Sequence, residues 1–422
     1  MIRGKKLLLC LAFAMAVACP AFAQRTVQTD TSHYQTLRID PGNAMGGNAS
    51  DFFEEINYIP LETTPESLYG SIAQLEVVDD YFIIRDDGTR AILIFKKSGK
   101  FHAKIKSASV FSVNRWTKQI VVTNAARNGN AFYDFDGKYI KTVNYSKQPK
   151  ERFFYLSDVF FIGPDKMIMY NSSQGFDTTD VINYKPYSRS NFKFITTKDD
   201  TKTVDAVGMP YKKEDVTLEG YSTDGIGPMS YYGNDTTFYY SKEFARGIYT
   251  VTPNTIKLDY KFMFPLNNSL PADFATNPVY NFKRSEYLQR NREVIFSVNN
   301  VYRVGSNLLF EASAQSSNLE DNLIYNLKTG RLIAFKRIST DASSFYLPLY
   351  MPGPTAYFDF KGITACDGQN IYTSASSLAM FRAYQENEDK NIKYNGVLTD
   401  YFKNRNKKDN EVIIQLKLKP NL

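Results

Sequence analysis

The sequence holds few of the side chains on which most enzyme chemistry runs: two histidines, three cysteines and one tryptophan in 422 residues. His33 lies in a polar N-terminal stretch, and His102 follows a glycine turn on an expected outer strand. A histidine-based triad or a multi-histidine metal site is therefore not expected. No G-x-S-x-G elbow, Walker loop or H-E-x-x-H sequence occurs, and no cysteine pair offers a zinc site. The expectation is a chain with neither cofactor nor metal. Long stretches of helical periodicity are scarce, and no segment after the N-terminal one reads as a membrane span. A strong charge excess is also missing. The formal charge of +7 falls to +4 without Arg3, Lys5 and Lys6, too mild a balance to argue for nucleic acid.

Those three cations open an export signal. They precede a short apolar run, 7–18, and "AFA" at 21–23 has the small-x-small form that signal peptidase needs. Residues 1–23 read as the signal peptide, with cleavage before Gln24. A rival reading takes "AVAC" at 16–19 as a lipoprotein signal with Cys19 acylated. Ala16 stands where leucine is usual and Pro20 follows the cysteine, so ordinary cleavage is favoured. Cys10 and Cys19 fall inside the signal. The released chain then keeps only Cys366 and forms no internal disulfide. The expected location is the periplasm or cell envelope, with a lipid anchor if Cys19 is retained.

What the chain has in abundance is aromatic residues, 30 Tyr and 31 Phe, which suit pleated, half-buried surfaces. Three stretches share one hairpin shape: "ILIFKKSGKFHAKI" (92–105), "YDFDGKYIKTV" (133–143) and "LIYNLKTGRLIAFKRI" (323–338). Each turns at a glycine followed by Lys or Arg. Glycine accepts the positive φ that two-residue hairpin loops need. The cation, at the start of an outer strand, guards an edge against pairing with another chain. The recurring Gly-Lys is read as architecture rather than as a ligand site.

A short apolar strand entered from a polar turn precedes each hairpin: "DDYFIIRD" (79–86), "TKQIVVTN" (117–124) and "GSNLLFEA" (305–312). The same shape recurs as "PDKMIMYN" (164–171), "NDTTFYYS" (234–241) and "DGQNIYTS" (367–374), and a further apolar strand lies ahead of each of the six. Four antiparallel strands repeated six times predict an all-β, six-bladed β-propeller. Uneven spacing calls for insertions in the third to fifth units and leaves five or seven blades open. "EINYIPLETT" (55–64) and "EVIIQLKLK" (411–419) are expected to pair within one blade and join the chain ends. Residues 24–50 read as a loose polar lead-in with one strand at "QTLRID", and 51–422 as a single propeller domain. A segment at about 376–410, helical at first and then polar and charged, reads as an insertion in the last blade.

"YIPLETTPESLYGSIAQLEVVDDYFIIRD", "ILIFKKSGKF" and the terminal "DNEVIIQLKLK" resemble the six-bladed β-propeller proteins of the Bacteroides-type cell envelope. The resemblance covers both ends, while 144–300 matches in rhythm only. The family often carries a Gly-rich run ending in Pro-Gly-Glu-Tyr after the first blade. Here that place holds "KIKSASVFSV", and "DGIGPMSYY" appears before the fourth unit instead. The resemblance implies fold and location and assigns no agreed activity.

Paired carboxylates deserve separate consideration, because two placed acids suffice for glycoside hydrolysis. Asp79-Asp80, Asp86-Asp87 and Asp199-Asp200 lie at expected turns, where solvated turn acids are the simpler reading. No catalytic residue is assigned. Trp116 is either a sugar-stacking platform or a filler between blades. For Tyr231-Tyr232 and Tyr239-Tyr240, strand alternation predicts one residue of each pair inside and one at a loop face. Propeller ligands usually sit at the axial mouth, on the face reached by the loops between second and third strands. The expected ligand residues there are Arg85, Asp86, Asn124, Arg127, Tyr155, Asn171, Glu311, Tyr357 and Asp359, a set suited to a glycan or peptide. The function expected is a non-enzymatic binding or scaffold module for a glycan, peptide or envelope protein. The alternative is a carbohydrate-active hydrolase or lyase using carboxylate or tyrosine in the axial funnel.

Overall fold

The computed structural model describes residues 25–107, 109–123, 129–144, 159–170, 192–198, 204–210, 229–234, 236–316, 322–351, 363–420 and 422. The signal segment and the "DGIGPMSYY" glycines lie outside them. The chain opens with β1 (Arg25–Val27), β2 (Thr29–Asp30), β3 (Gln35–Arg38), β4 (Met45–Asn48), a short helix α1 (Ala49–Phe52) and β5 (Phe53–Pro60). Four-stranded meanders follow. Blade 1 is β6 (Gln74–Val78), β7 (Tyr81–Asp86), β8 (Ala91–Lys96) and β9 (Phe101–Ile105). Blade 2 is β10 (Phe111–Asn114), β11 (Gln119–Thr123), β12 (Gly129–Asp134) and β13 (Tyr139–Asn144). Blade 3 is β14 (Val159–Phe161), β15 (Lys166–Tyr170), β16 (Phe192–Lys198) and β17 (Val204–Pro210). Blade 4 is β18 (Met229–Asn234), β19 (Thr237–Ser241), β20 (Gly247–Val251) and β21 (Ile256–Met263). A helix α2 (Arg284–Arg290) precedes blade 5, which is β22 (Ser297–Val304), β23 (Asn307–Ser313), β24 (Asn322–Asn326) and β25 (Leu332–Ser339). Blade 6 is β26 (Ala365–Cys366), β27 (Ile371–Ala375) and β28 (Val412–Leu418), with β5 as its outer strand.

The six sheets form a six-bladed ring, and the apolar core lies between blades. Phe82 and Ile84 of β7 pack with Tyr372 and Ile413 of blade 6, while Ile83 between them packs with Phe111 and Ile120 of blade 2. Each blade is thus covered on both faces, and strand alternation serves two neighbours rather than core and solvent. This corrects the expectation for Tyr239-Tyr240. Both are buried, Tyr239 against blade 5 and Tyr240 against blade 3. The side chains of Tyr231 and Tyr232 lie outside the described set.

The three hairpin glycines, Gly99, Gly137 and Gly330, all have positive φ. At Gly99 a Cβ would also stand 2.2 Å from the carbonyl oxygen of Pro60, so the turn brings blade 1 against the end of β5. Lys100, Lys138 and Arg331 follow, exposed, just before the outer strands.

Ring closure comes from β28 pairing antiparallel with β5 along its whole length. The insertion between β27 and β28 holds two helices, α3 (Ser377–Glu386) and α4 (Gly396–Asn404), so its charged half is helical too. Ser376 and Asn395 cap them, each accepting a backbone N–H three residues on. Met380, Ala383, Leu398 and Tyr401 seat the pair on the blade 5–6 core.

Residues 25–48 are not loose. Besides the expected strand at β3, the segment forms β1, β2 and β4, and all four add in parallel to outer strands. β1 joins β17, β2 and β3 join β21, and β4 joins β25. Val27, Leu37, Ile39 and Ala44 drop between the blades they pass. The result is a strap over the edges of blades 3, 4 and 5 that continues into β5 of blade 6. Asp341 clamps it, accepting from the Ser50 amide at 2.9 Å and from the Ser343 amide and hydroxyl at 2.8 and 2.6 Å.

Removing 25–48 should lower the unfolding midpoint and cause self-association through bared edges. Light scattering and a melt check this, and an unchanged monomeric melt would return the segment to a loose lead-in. Leu37→Ala alone should cost about 2–5 kcal/mol, measured by denaturant unfolding. Burial pushes the Asp341 carboxyl up, but the bonds from Ser343 and Ser50 outweigh it and bring it from 3.8 to about 2. A carboxyl held low in the folded state stabilises fully above its unfolded value, here pH 3.8. That contribution fades as pH falls toward 2, so Asp341→Asn should flatten the loss of stability across this window in acid melts.

Candidate functional site

An antiparallel meander sends its connections alternately to two faces, and here the faces differ. On one, β6–β7, β8–β9, β10–β11, β22–β23 and β26–β27 are joined by tight turns. On the other run the connections between blades, 61–73, 264–296 and, as far as it is described, 340–351, and the α3–α4 insertion. The elaborated face is the one on which the sequence places ligand residues.

The innermost strands of all six blades surround an axial cavity of about 270 Å³. Neighbouring inner strands share no backbone ladder, so side chains satisfy their polar groups across the gaps. The Gln74 amide donates to the Phe111 carbonyl at 2.8 Å and accepts from the Phe111 N–H at 3.2 Å. The Ser112 hydroxyl donates to the Val159 carbonyl, and the Ser230 hydroxyl accepts from the Val301 N–H at 2.9 Å. These bonds stitch the wall of the channel.

Toward the elaborated face lies a second cavity of about 240 Å³, which adds Glu311 and Asn322 to the lining. Gln74, Asn300, Tyr302 and Thr364 line both cavities, so the two are contiguous. Blade 5 builds most of this mouth through a bulge. The β22–β23 register shifts between Asn299 and Tyr302, and Asn300 adopts φ +48°. Bulges re-aim side chains. Val301 is fully buried, while Asn300 stays exposed on an innermost strand. Its Nδ2 donates to Glu311 Oε2 at 2.9 Å, and the Ser313 hydroxyl donates to Glu311 Oε1 at 3.3 Å.

The channel disfavours unpaired charge. Burial raises the Glu76 carboxyl, opposed by Arg115 at 3.7 Å. Burial raises the Tyr302 phenol, reinforced by Cys366, Glu76 and Glu311. Burial also pushes the Cys366 thiol up to about 12. Among the described residues no group of three or more His, Cys, Asp or Glu is placed to hold a metal ion.

Of the expected ligand residues, Glu311 lines the mouth. Arg85 lies on β7 and pairs with Asp87. Asp86 is not a solvated turn acid. It is fully buried and accepts from the Thr89 amide and hydroxyl and from the Ser71 and Gly88 amides. Burial raises its carboxyl, but the bonds from Thr89, Ser71 and Gly70 win and hold it below the ordinary value. Asp86 therefore organises the β7–β8 loop. Trp116 sits in the β10–β11 turn on the tight-turn face, 40% exposed, neither between blades nor toward the mouth. His102 bonds Asp136 of the next blade at 2.8 Å, and His33 bonds Ser32. Asn124, Arg127, Tyr155, Asn171, Tyr357, Asp359 and Cys19 lie outside the described residues, as do Asp199 and Asp200.

Sequence reasoning missed Glu76, Asn300, Tyr302 and Asn322. One signal was present: in "SVNNVYRV" the buried valines 298, 301 and 304 are three apart rather than two, the mark of an extra residue in a strand. Native Cys366 should resist alkylation at neutral pH, since burial suppresses the reactive thiolate, and should react once the chain is unfolded. Rapid labelling of the folded protein would contradict the burial of this thiol at the channel wall.

The family model described as a domain of unknown function (DUF4934) matches residues 37–417. No curated protein matches the chain. Among solved structures, a Bacteroides fragilis NCTC 9343 protein inferred to be exported is 16% identical. The match covers 91% of this chain and 100% of that one, with a TM-score of 0.64. At that identity the likeness concerns the fold. A member of the DUF4221 family from Bacteroides vulgatus ATCC 8482 is 12% identical over 87% of this chain and 97% of that one, with a TM-score of 0.44.

Proposed function

The chain belongs to the DUF4934 family, and from that premise we propose that it is an exported cell-envelope binding module. It holds a glycan, peptide or protein segment on its elaborated face without acting on it chemically. The observation that carries this reading is the axial cavity. It opens toward the face with the long connections, is lined from every blade, and sets amide, hydroxyl and paired ionic groups among apolar side chains. Such a concave site with a few convergent polar groups is what small-ligand recognition requires. Export rests on the basic, apolar and small-x-small run of residues 1–23. Among the described residues no helix is long and apolar enough to cross a membrane.

A second reading, a carbohydrate-active hydrolase or lyase, draws on Glu76 and Tyr302, which share the channel, with the Glu76 carboxyl held up by burial as a proton donor needs. Against it, Glu76 faces Arg115, and Glu311 is tied to Asn300 and Ser313.

The test is thermal unfolding of the chain from Gln24 onward against glycans and peptides. A ligand at ~100 times its dissociation constant stabilises by about 2.7 kcal/mol, a shift of roughly a few degrees for a domain of this size. A shift with the ligand recovered intact supports the binding module. Cleaved product supports the enzyme. No shift with any probe overturns small-ligand binding.

A further inference from the structure

The mouth of the channel has a chemistry of its own, and its reading rests on the binding role proposed above. Its polar lining consists of the amides of Gln74, Asn300 and Asn322, the hydroxyls of Tyr302 and Thr364, and the Glu311 carboxylate. The one carboxylate of the mouth, Glu311, accepts from the neutral donors Asn300 and Ser313, and deeper in, Glu76 faces Arg115. An anionic ligand entering here would lose water and meet a carboxylate, which is unfavourable in a confined site. A neutral ligand rich in hydroxyls meets the amide and hydroxyl partners of the lining. The two contiguous cavities, about 240 and 270 Å³, together come within the lower part of the ~300–1,000 Å³ of typical small-molecule sites, room for a ring-sized group rather than a bulky chain.

Blade 5 carries a second, independent feature. Asn300 is a non-glycine residue in the left-handed region, at a bulge, exposed on an innermost strand and held by Glu311. Such backbone strain persists where the surroundings over-determine it, and it clusters at binding and catalytic sites. The same bulge buries Val301 and leaves Asn300 and Tyr302 lining both cavities.

We propose that the mouth takes the neutral, hydroxyl-rich end of a glycan, and that the blade 5 bulge, through Asn300 and Tyr302, is the element that recognises it. Asn300 orients the Glu311 carboxylate and presents its own amide. Tyr302, kept as a neutral phenol, offers a hydroxyl and a ring between the two cavities.

The experiment titrates the chain from Gln24 onward with neutral hexose tetrasaccharides of several linkages, with their uronic-acid counterparts, and with a mixed peptide pool. At least one neutral tetrasaccharide should bind, and its uronic-acid counterpart should bind at least about tenfold more weakly. Asn300→Gly keeps the left-handed backbone without strain, so its melting point should hold or rise. Its affinity should fall about tenfold, as for a lost hydrogen bond. Tyr302→Phe should behave likewise, and Trp116→Phe, on the opposite face, should bind as the parent does. Equal or tighter binding of a uronic-acid sugar overturns the proposal, as does undiminished affinity in both Asn300→Gly and Tyr302→Phe. Binding of peptide but no sugar overturns it while the binding-module reading stands. Binding of no probe at all removes both.

Discussion

Ile92, Leu93, Ile94 and Phe95 are consecutive in β8, and all four are fully buried. In a sheet with one wet face, two of them would meet water. Here every blade is pressed between two others, so both faces of its inner strands are interior. That constraint governs the rest. It explains the aromatic content, since each gap between diverging blades needs large side chains, as where Phe82 meets Tyr372 at 5.9 Å and Phe262 meets Phe310 at 4.7 Å. It also explains why the axis is polar. The inner strands converge there without pairing, and Gln74, Ser112 and Ser230 bridge their backbones.

A ring packed this way has two weak places, its seam and its rim. The seam is closed by β5 on β28 and reinforced by Asn410, whose amide donates to the Glu62 and Ser67 carbonyls and whose Oδ1 accepts from the Tyr69 N–H. The rim is covered over blades 3 to 5 by the strap. The outer strands β9 and β13 of blades 1 and 2 carry no added strand among the described residues. Exposed Lys100, Lys138 and Lys141 stand at or beside these strands, in keeping with charge as the guard of an open edge.

The blades were legible because each repeats a local grammar of polar turn, apolar strand and glycine hairpin. The glycines betrayed themselves by the one backbone conformation that other residues avoid. The fate of Tyr239 and Tyr240 was not legible, because alternation reports which face a residue takes and not whether that face is covered. The strap was equally hidden. Strands of two to four residues such as β2 and β4 have no periodicity to detect, and their pairing depends on edges hundreds of residues away. At the candidate site, Glu311 was reachable from its place near the end of a second strand. Asn300 and Tyr302 required noticing that the valines of β22 fall out of step.

The strap also sets an order of events. Arg25 donates to Asn254 across 229 positions, and Lys419 donates to the Ser50 carbonyl across 369. As the chain emerges amino end first, the strap appears before the blades it pairs with and is among the last segments to find its place. Contacts of such long range are slow to form. Until blades 3 to 5 exist, residues 25–48 are an unpaired strand-forming tail, and until β28 appears, β5 has no blade. The two ends of the chain are therefore a kinetic lock. The propeller can collapse from blade 1 onward, but it becomes a closed ring only when its final strand is delivered.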